Sequence, residues 1–264
     1  MPIALRGGTR TFWRTWGSGP PQALLLHCSL AHSGVWDGLV RRLDIPAVAF
    51  DAPGHGQSGP LDQTLDYQVQ CLRVTEDFLG REPMDVIGHS FGATVALRLA
   101  AERPQAVRRL VLIEPVLFAA ARGAPVFESH VAAFRPFAEA LQAGNPVLAA
   151  QRFTAMWGAG VAWDQMRVAQ RQALVDQIHV IPAQNGSLFE DNAGMLAPGR
   201  LEAIAAPTLL LAGSASPAIV HAIQDVLQTR LRMTARQVVP DAGHMLPITH
   251  AAEVADAIAP FLSR

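Results

Sequence analysis

A chain of 264 residues, half of them apolar and only 16% charged, is long enough to bury a sizeable core as one large α/β domain or as a domain with an inserted lid. A formal net charge of −1 supplies no broad field toward nucleic acid or an anionic membrane, so the expected partner is a small molecule. All 21 basic residues are arginine, and without a lysine the chain has no Schiff-base chemistry, no pyridoxal phosphate anchor and no phosphate-loop lysine.

The N-terminal residues Met1-Pro2-Ile3-Ala4-Leu5-Arg6 lack the apolar stretch of a signal peptide, and no run approaches the ~20 apolar residues that span a bilayer. A cytoplasmic protein, monomer or homodimer, is expected. Thr11–Trp16 alternates like a half-buried strand, and Gly17-Ser18-Gly19-Pro20-Pro21 then forces a turn. Ala23–Leu26, Ala47–Phe50, Met84–Ile87, Leu110–Ile113 and Thr208–Leu211 are apolar runs of strand length, and Ala235–Val239 is β-like. Strands buried on both faces and separated by helical stretches specify an α/β fold with a mainly parallel sheet covered on both sides. Functional residues then belong at the strands' C-terminal ends.

Between Pro115 and about Gly199 the strand rhythm stops. Phe127–Ala143, Pro146–Trp157 and Trp163–Ile178 have helical character and are separated by Pro-Gly punctuation, which predicts an inserted helical lid. The expected organisation is a core over residues 1–116 and 200–264, interrupted by a cap over 117–199. Cys28 and Cys71 suit buried thiols of a reducing compartment. None of the nine histidines forms a close ligand pair, so no metal and no cofactor are expected.

Gly88-His89-Ser90-Phe91-Gly92 follows one apolar run directly and precedes a helical stretch from Ala93 to Arg103. A serine hydroxyl is a poor nucleophile unless it is held exposed beside a base and preorganised N–H donors, and a strand-turn-helix corner supplies exposure and donors together. With no Cβ at positions 88 and 92, strand and helix can close up while Ser90 takes a strained backbone conformation.

With Leu24-Leu25-Leu26-His27-Cys28-Ser29, Asp51-Ala52-Pro53-Gly54-His55-Gly56-Gln57-Ser58, the Ser90 corner and a late histidine in this order, the chain resembles the α/β-hydrolase family over essentially its whole length. The resemblance implies an eight-stranded sheet, a helical cap between strands six and seven, and hydrolysis through an acyl-enzyme. A serine at the corner argues against the epoxide hydrolases and dehalogenases of this fold, which use aspartate there.

The base is expected at His244, in the loop Pro240-Asp241-Ala242-Gly243-His244-Met245 after the last strand. His89 lies in the corner itself and cannot readily fold back to take the serine proton, so it is read as pocket lining. His27 is read as bracing its own loop. The acid departs from the family pattern: where an aspartate usually stands three residues beyond a glycine, Gly213-Ser214-Ala215-Ser216 places a serine, which carries no charge to orient an imidazole. Glu114, at the tip of the sixth strand beside the elbow strand, is the favoured acid. Asp241 is the alternative, with an Asx-type turn as its simpler role.

The oxyanion needs two N–H donors, expected from Phe91 and from the loop after His27, at Ser29 or next at Leu30. Cys28 stands where the family usually has glycine and is read as a small buried side chain near the pocket rather than as a second nucleophile. Asp51–Ser58 reads as a structural turn bordering the pocket. Substrate contacts are expected from Cys28, Leu30, His89, Phe118, Trp157 and Met245, with Trp163 beside them. The sequence thus predicts a serine hydrolase of a small, fairly apolar carboxylic ester or a related acyl or activated C–C bond. The rival readings are a ligand-binding homologue, motivated by the serine at 216, and acyl transfer to an acceptor other than water, including peroxide.

Overall fold

The computed structural model describes residues 2–263. Two antiparallel strands, β1 (Ile3–Arg6) and β2 (Thr9–Trp16), lead into β3 (Ala23–Leu26), helix α1 (Asp37–Leu43), β4 (Ala47–Phe50), α2 (Tyr67–Glu76), β5 (Met84–His89), α3 (Phe91–Glu102) and β6 (Val107–Ile113). Between β6 and the next strand lie α4 (Pro125–Gln142), α5 (Pro146–Trp157), α6 (Val168–Gln177) and the short α7 (Asn185–Leu188), joined by 3₁₀ turns. The chain then returns with β7 (Thr208–Gly213), α8 (Ala218–Arg230), β8 (Thr234–Val239), α9 (Leu246–Thr249) and α10 (Ala251–Leu262). The eight strands form one sheet in the order β1-β2-β4-β3-β5-β6-β7-β8, parallel from β4 onward and antiparallel on both sides of β2.

The buried strands fill two layers because successive side chains point to opposite faces. Leu24, Leu26, Val86, Leu110, Leu112 and Leu210 join the core with residues of α2, α3 and α8, whereas Leu25, Ile87, Val111, Ile113, Leu209 and Leu211 pack with residues of α1 and α10. The helices between β6 and β7 carry a small core of their own around Phe137, Ala140, Ala149, Ala150, Ile178 and Ile181. Among the described residues no helix is long and apolar enough to cross a membrane.

Three boundaries differ from the sequence-based expectation. β1 was not anticipated, since Ile3 and Leu5 are exposed and carry no burial pattern. β6 begins at Val107, ahead of the apolar run, because Arg108 forks onto the buried Asp85 of β5 at 2.9 and 2.7 Å and so lets two arginines join a strand. The stretch from Trp163 to Ile178 is a 3₁₀ turn at Trp163–Gln165 and then α6, not one helix.

Candidate active site

Three neighbouring strand tips converge. β5 ends at His89 and α3 begins at Phe91, which leaves Ser90 at the corner with φ 56° and ψ −118°, outside the ordinary regions for a residue with a Cβ. Its N–H still donates to Ile113 O at 2.9 Å, so the strained residue is locked to β6. At the tip of β6, Glu114 is also left-handed, with φ 52°, and its N–H donates to Leu211 O of β7 at 2.9 Å.

His244, on the loop after β8, faces both. Ser90 Oγ–H donates to its Nε2 at 2.9 Å, and its Nδ1–H donates to Glu114 Oε2 at 3.0 Å. The carboxylate is completely buried, and its other oxygen accepts from Gly213 N–H at 2.8 Å and from Ser216 Oγ–H at 2.7 Å. Three donors therefore compensate the desolvation that would otherwise make such a buried acid costly. Ser216, the serine in the place of the family's aspartate, is a donor to the relocated carboxylate.

Phe91 is the first residue of α3, so its N–H has no intrahelical acceptor and is free to point at a ligand. Ser29 N–H likewise has no backbone acceptor among the described residues. The loop carrying Ser29 is pinned from the Asp51–Ser58 turn: Ala52 N–H donates to His27 Nε2 at 2.9 Å, and Leu30 N–H donates to His55 Nε2 at 3.0 Å. Burial, with a smaller contribution from His27, lowers the His55 pKa to about 3, so the ring stays neutral and accepts at Nε2.

Above these groups lies a mainly apolar cleft. Its floor is Ser90, Ser29, Cys28, His244 and Met245, and its roof includes Phe118, Phe134, Trp157, Gln184 and Phe189 from the insertion. Trp157 meets the His244 ring edge-on at 4.6 Å. Burial pushes the Cys28 thiol up to about 12, which keeps it protonated and unreactive at neutral pH.

A model of the alpha/beta hydrolase family matches residues 23–257, from β3 through β8 with the insertion between β6 and β7. The chain belongs to the alpha/beta hydrolase family. Among curated members it is 41% identical over 102 residues to lipase LipV of Mycobacterium tuberculosis, and 43% identical over 102 residues to the pimeloyl-[acyl-carrier protein] methyl ester esterase of Nitrosomonas europaea. Each alignment covers 38% of this chain, and the chain covers 39% and 38% of those two relatives. The crystal structure of an alpha/beta hydrolase from Sphaerobacter thermophilus superposes with a TM-score of 0.70 over 99% of this chain and 100% of that one, at 22% identity.

Within this alpha/beta hydrolase sheet, Ser90, His244 and Glu114 come together, and Phe91 and Ser29 flank them. Cys28, Phe118, Trp157 and Met245, expected as substrate contacts, line the cleft. Four expectations need correction. His89 does not line the cleft: it is buried beside His244, and its Nε2–H donates to His244 O at 2.8 Å. Leu30 spends its N–H on His55 and packs against the insertion's own core, so it is neither an oxyanion donor nor a cleft residue. Trp163 also packs on that small core. Asp241 is exposed, and its turn is held by its N–H donating to Ser214 Oγ at 2.8 Å, not by an Asx-type bond.

Sequence reasoning missed Phe134, Phe153, Gln184 and Phe189 in the roof, and His55 beneath the oxyanion loop. The seven-residue spacing of Phe127 and Phe134 within α4 was an available signal for one inward face. Gln184 and His55 carried no local signal, because their partners are 155 and 25 residues away.

Proposed function

We propose that this protein is a serine hydrolase that cleaves a small, fairly apolar carboxylic ester through an acyl-enzyme on Ser90. The observation that carries the reading is the unbroken hydrogen-bonded chain from Ser90 Oγ through His244 to the buried Glu114 carboxylate. That chain also weighs against the ligand-binding alternative, which rested on the missing acid at position 216. The kinship with lipases and esterases points the same way.

In this mechanism Ser90 Oγ bonds to the ester carbonyl carbon as its proton passes to His244 Nε2. The carbonyl electron pair moves onto oxygen, where the N–H groups of Phe91 and Ser29 meet it, each such donor contributing ~3 kcal/mol in the transition state. Glu114 holds the imidazole by its Nδ1–H and stabilises the cation that forms. His244 then gives its Nε2 proton to the leaving alkoxide as the C–O bond breaks. Water, deprotonated by the same nitrogen, attacks the acyl carbon, and collapse returns that proton to Ser90 and releases the carboxylic acid, which ionises in solution. The helices between β6 and β7 act as a cap whose aromatic roof excludes bulk water and favours apolar acyl groups.

Labelling of the protein with a fluorophosphonate is expected to place one adduct on Ser90, read by mass spectrometry. Ser90→Ala should abolish both the adduct and turnover of short p-nitrophenyl esters. Folded parent protein that takes no adduct overturns the assignment.

A further inference from the structure

Gln184 closes the 3₁₀ turn Pro182–Gln184 ahead of α7 and lines the cleft from the cap side. It is 2% exposed. Ser29 Oγ–H donates to its Oε1 at 2.8 Å, which fixes the roll of the carboxamide. Its Nε2 therefore presents two N–H donors in a set direction, and among the described residues that buried atom has no acceptor. The other buried side-chain atoms without partners belong to residues that do not line the cleft. A buried, unpaired amide is costly to a fold, and where it borders a substrate cavity the ligand is the natural acceptor.

The bond to Ser29 also sets where that acceptor must be. Ser29 is one of the two residues assigned to hold the oxyanion, so this hydrogen bond ties the Gln184 carboxamide to a residue beside the scissile carbonyl's proposed seat. Among the described residues the cleft lining contains no arginine. An anionic acceptor would be buried there without a counter-charge, so the group that suits Gln184 is neutral.

We propose that Gln184 is a substrate-recognition residue that selects esters bearing a second, neutral oxygen acceptor, such as an ether, keto or hydroxyl oxygen, within a few bonds of the ester group. Purely aliphatic acyl and alkyl groups of the same shape leave the amide unpaired and are the poorer substrates. This inference rests on the ester-hydrolase reading above and deepens it.

Matched pairs differing by one CH₂-to-O exchange test it. p-Nitrophenyl methoxyacetate is compared with p-nitrophenyl butanoate, and 2-methoxyethyl acetate with butyl acetate, each rate being corrected by its alkaline hydrolysis. The parent enzyme is expected to favour the oxygenated member of at least one pair by about tenfold in kcat/KM. Gln184→Met, which keeps length but removes both donors, should bring that ratio to about one. Equal treatment of both pairs by the parent, or an unchanged ratio in a folded Gln184→Met protein, overturns the proposal.

Calorimetric binding of N-phenyl methoxyacetamide and N-phenyl butanamide to the Ser90→Ala protein separates recognition from turnover. Selective binding without any ester turnover in the parent would sink the hydrolase reading and leave Gln184's role standing. Turnover with no oxygen preference in rate or binding would sink Gln184's role alone.

Discussion

Glu114 serves three donors with two oxygens, and each oxygen has a different duty: Oε2 faces His244, whereas Oε1 is held by Gly213 and Ser216. A glutamine in its place must turn its NH₂ toward donors on one side or the other. Glu114→Gln is therefore expected to lower kcat on p-nitrophenyl esters ~10³-fold or more, as loss of a triad acid does. Ser216→Ala removes one of two donors from the less critical oxygen, so a loss of ~10-fold or less is expected. Asp241→Asn, at an exposed side chain away from the imidazole, should leave kcat within ~2-fold. Equal rates for Glu114→Gln and the parent would dismiss Glu114 as the acid. Ser90, His244 and the departure at 216 were all legible in the sequence, because a corner flanked by glycines and a Gly-His turn are local signals. Glu114 could be placed only by its position at a strand tip. What lay beyond reading was its bond to Ser216, since two residues 102 apart share a carboxylate only once β6 and β7 are paired.

The strand-elbow-helix unit works at the scale of elements, and its tolerance is set by Gly92. A Cβ there would sit 2.2 Å from Leu26 O and 2.6 Å from His27 O, backbone atoms of β3 and of the oxyanion loop that cannot swing aside. Gly92→Ala should destabilise the fold by about 3 kcal/mol or more in urea denaturation, and it should impair turnover in whatever folded fraction survives. A loss under ~0.5 kcal/mol would show that α3 can retreat from β3 at little cost. The interior strands were readable because they are apolar on both faces and end at glycine, proline or turn residues. The insertion was readable only as helical. Its α4 starts at Pro125, where the ring's fixed φ suits the first helical position, and its last stretch, from Ile178 to Leu188, runs through short turns with no period to detect. Gln184 sits in that stretch, which is why the insertion's hydrogen bond to Ser29 had no precursor in the pattern.

Across the whole molecule, several histidines are folded in the neutral state. Burial lowers the pKa of His130 to about 4 and of His55 to about 3, and it also depresses those of His27 and His89. The unfolded chain protonates its histidines near 6.5, so between that value and the folded ones it binds protons that the native state refuses. Their contribution to stability is complete above about pH 6.5 and is lost as the pH falls toward 3, by up to about 1.4 kcal/mol per pH unit for each such ring. The urea midpoint should be clearly lower at pH 5 than at pH 7.5. His130→Phe, at a ring already stacked among Phe118, Phe134 and Phe189, should flatten that slope; a midpoint that does not move with pH would contradict the account.

One contact among these rings ties together two distant parts of the candidate site. His89, next to the nucleophile in the chain, grips the carbonyl of His244 across 155 residues of sequence. In the proposed mechanism the attacking oxygen and the nitrogen that takes its proton are thus mounted on one bracket, which the insertion touches through Trp157. Their alignment is therefore anchored at the end of the sheet itself and does not rest on the insertion alone.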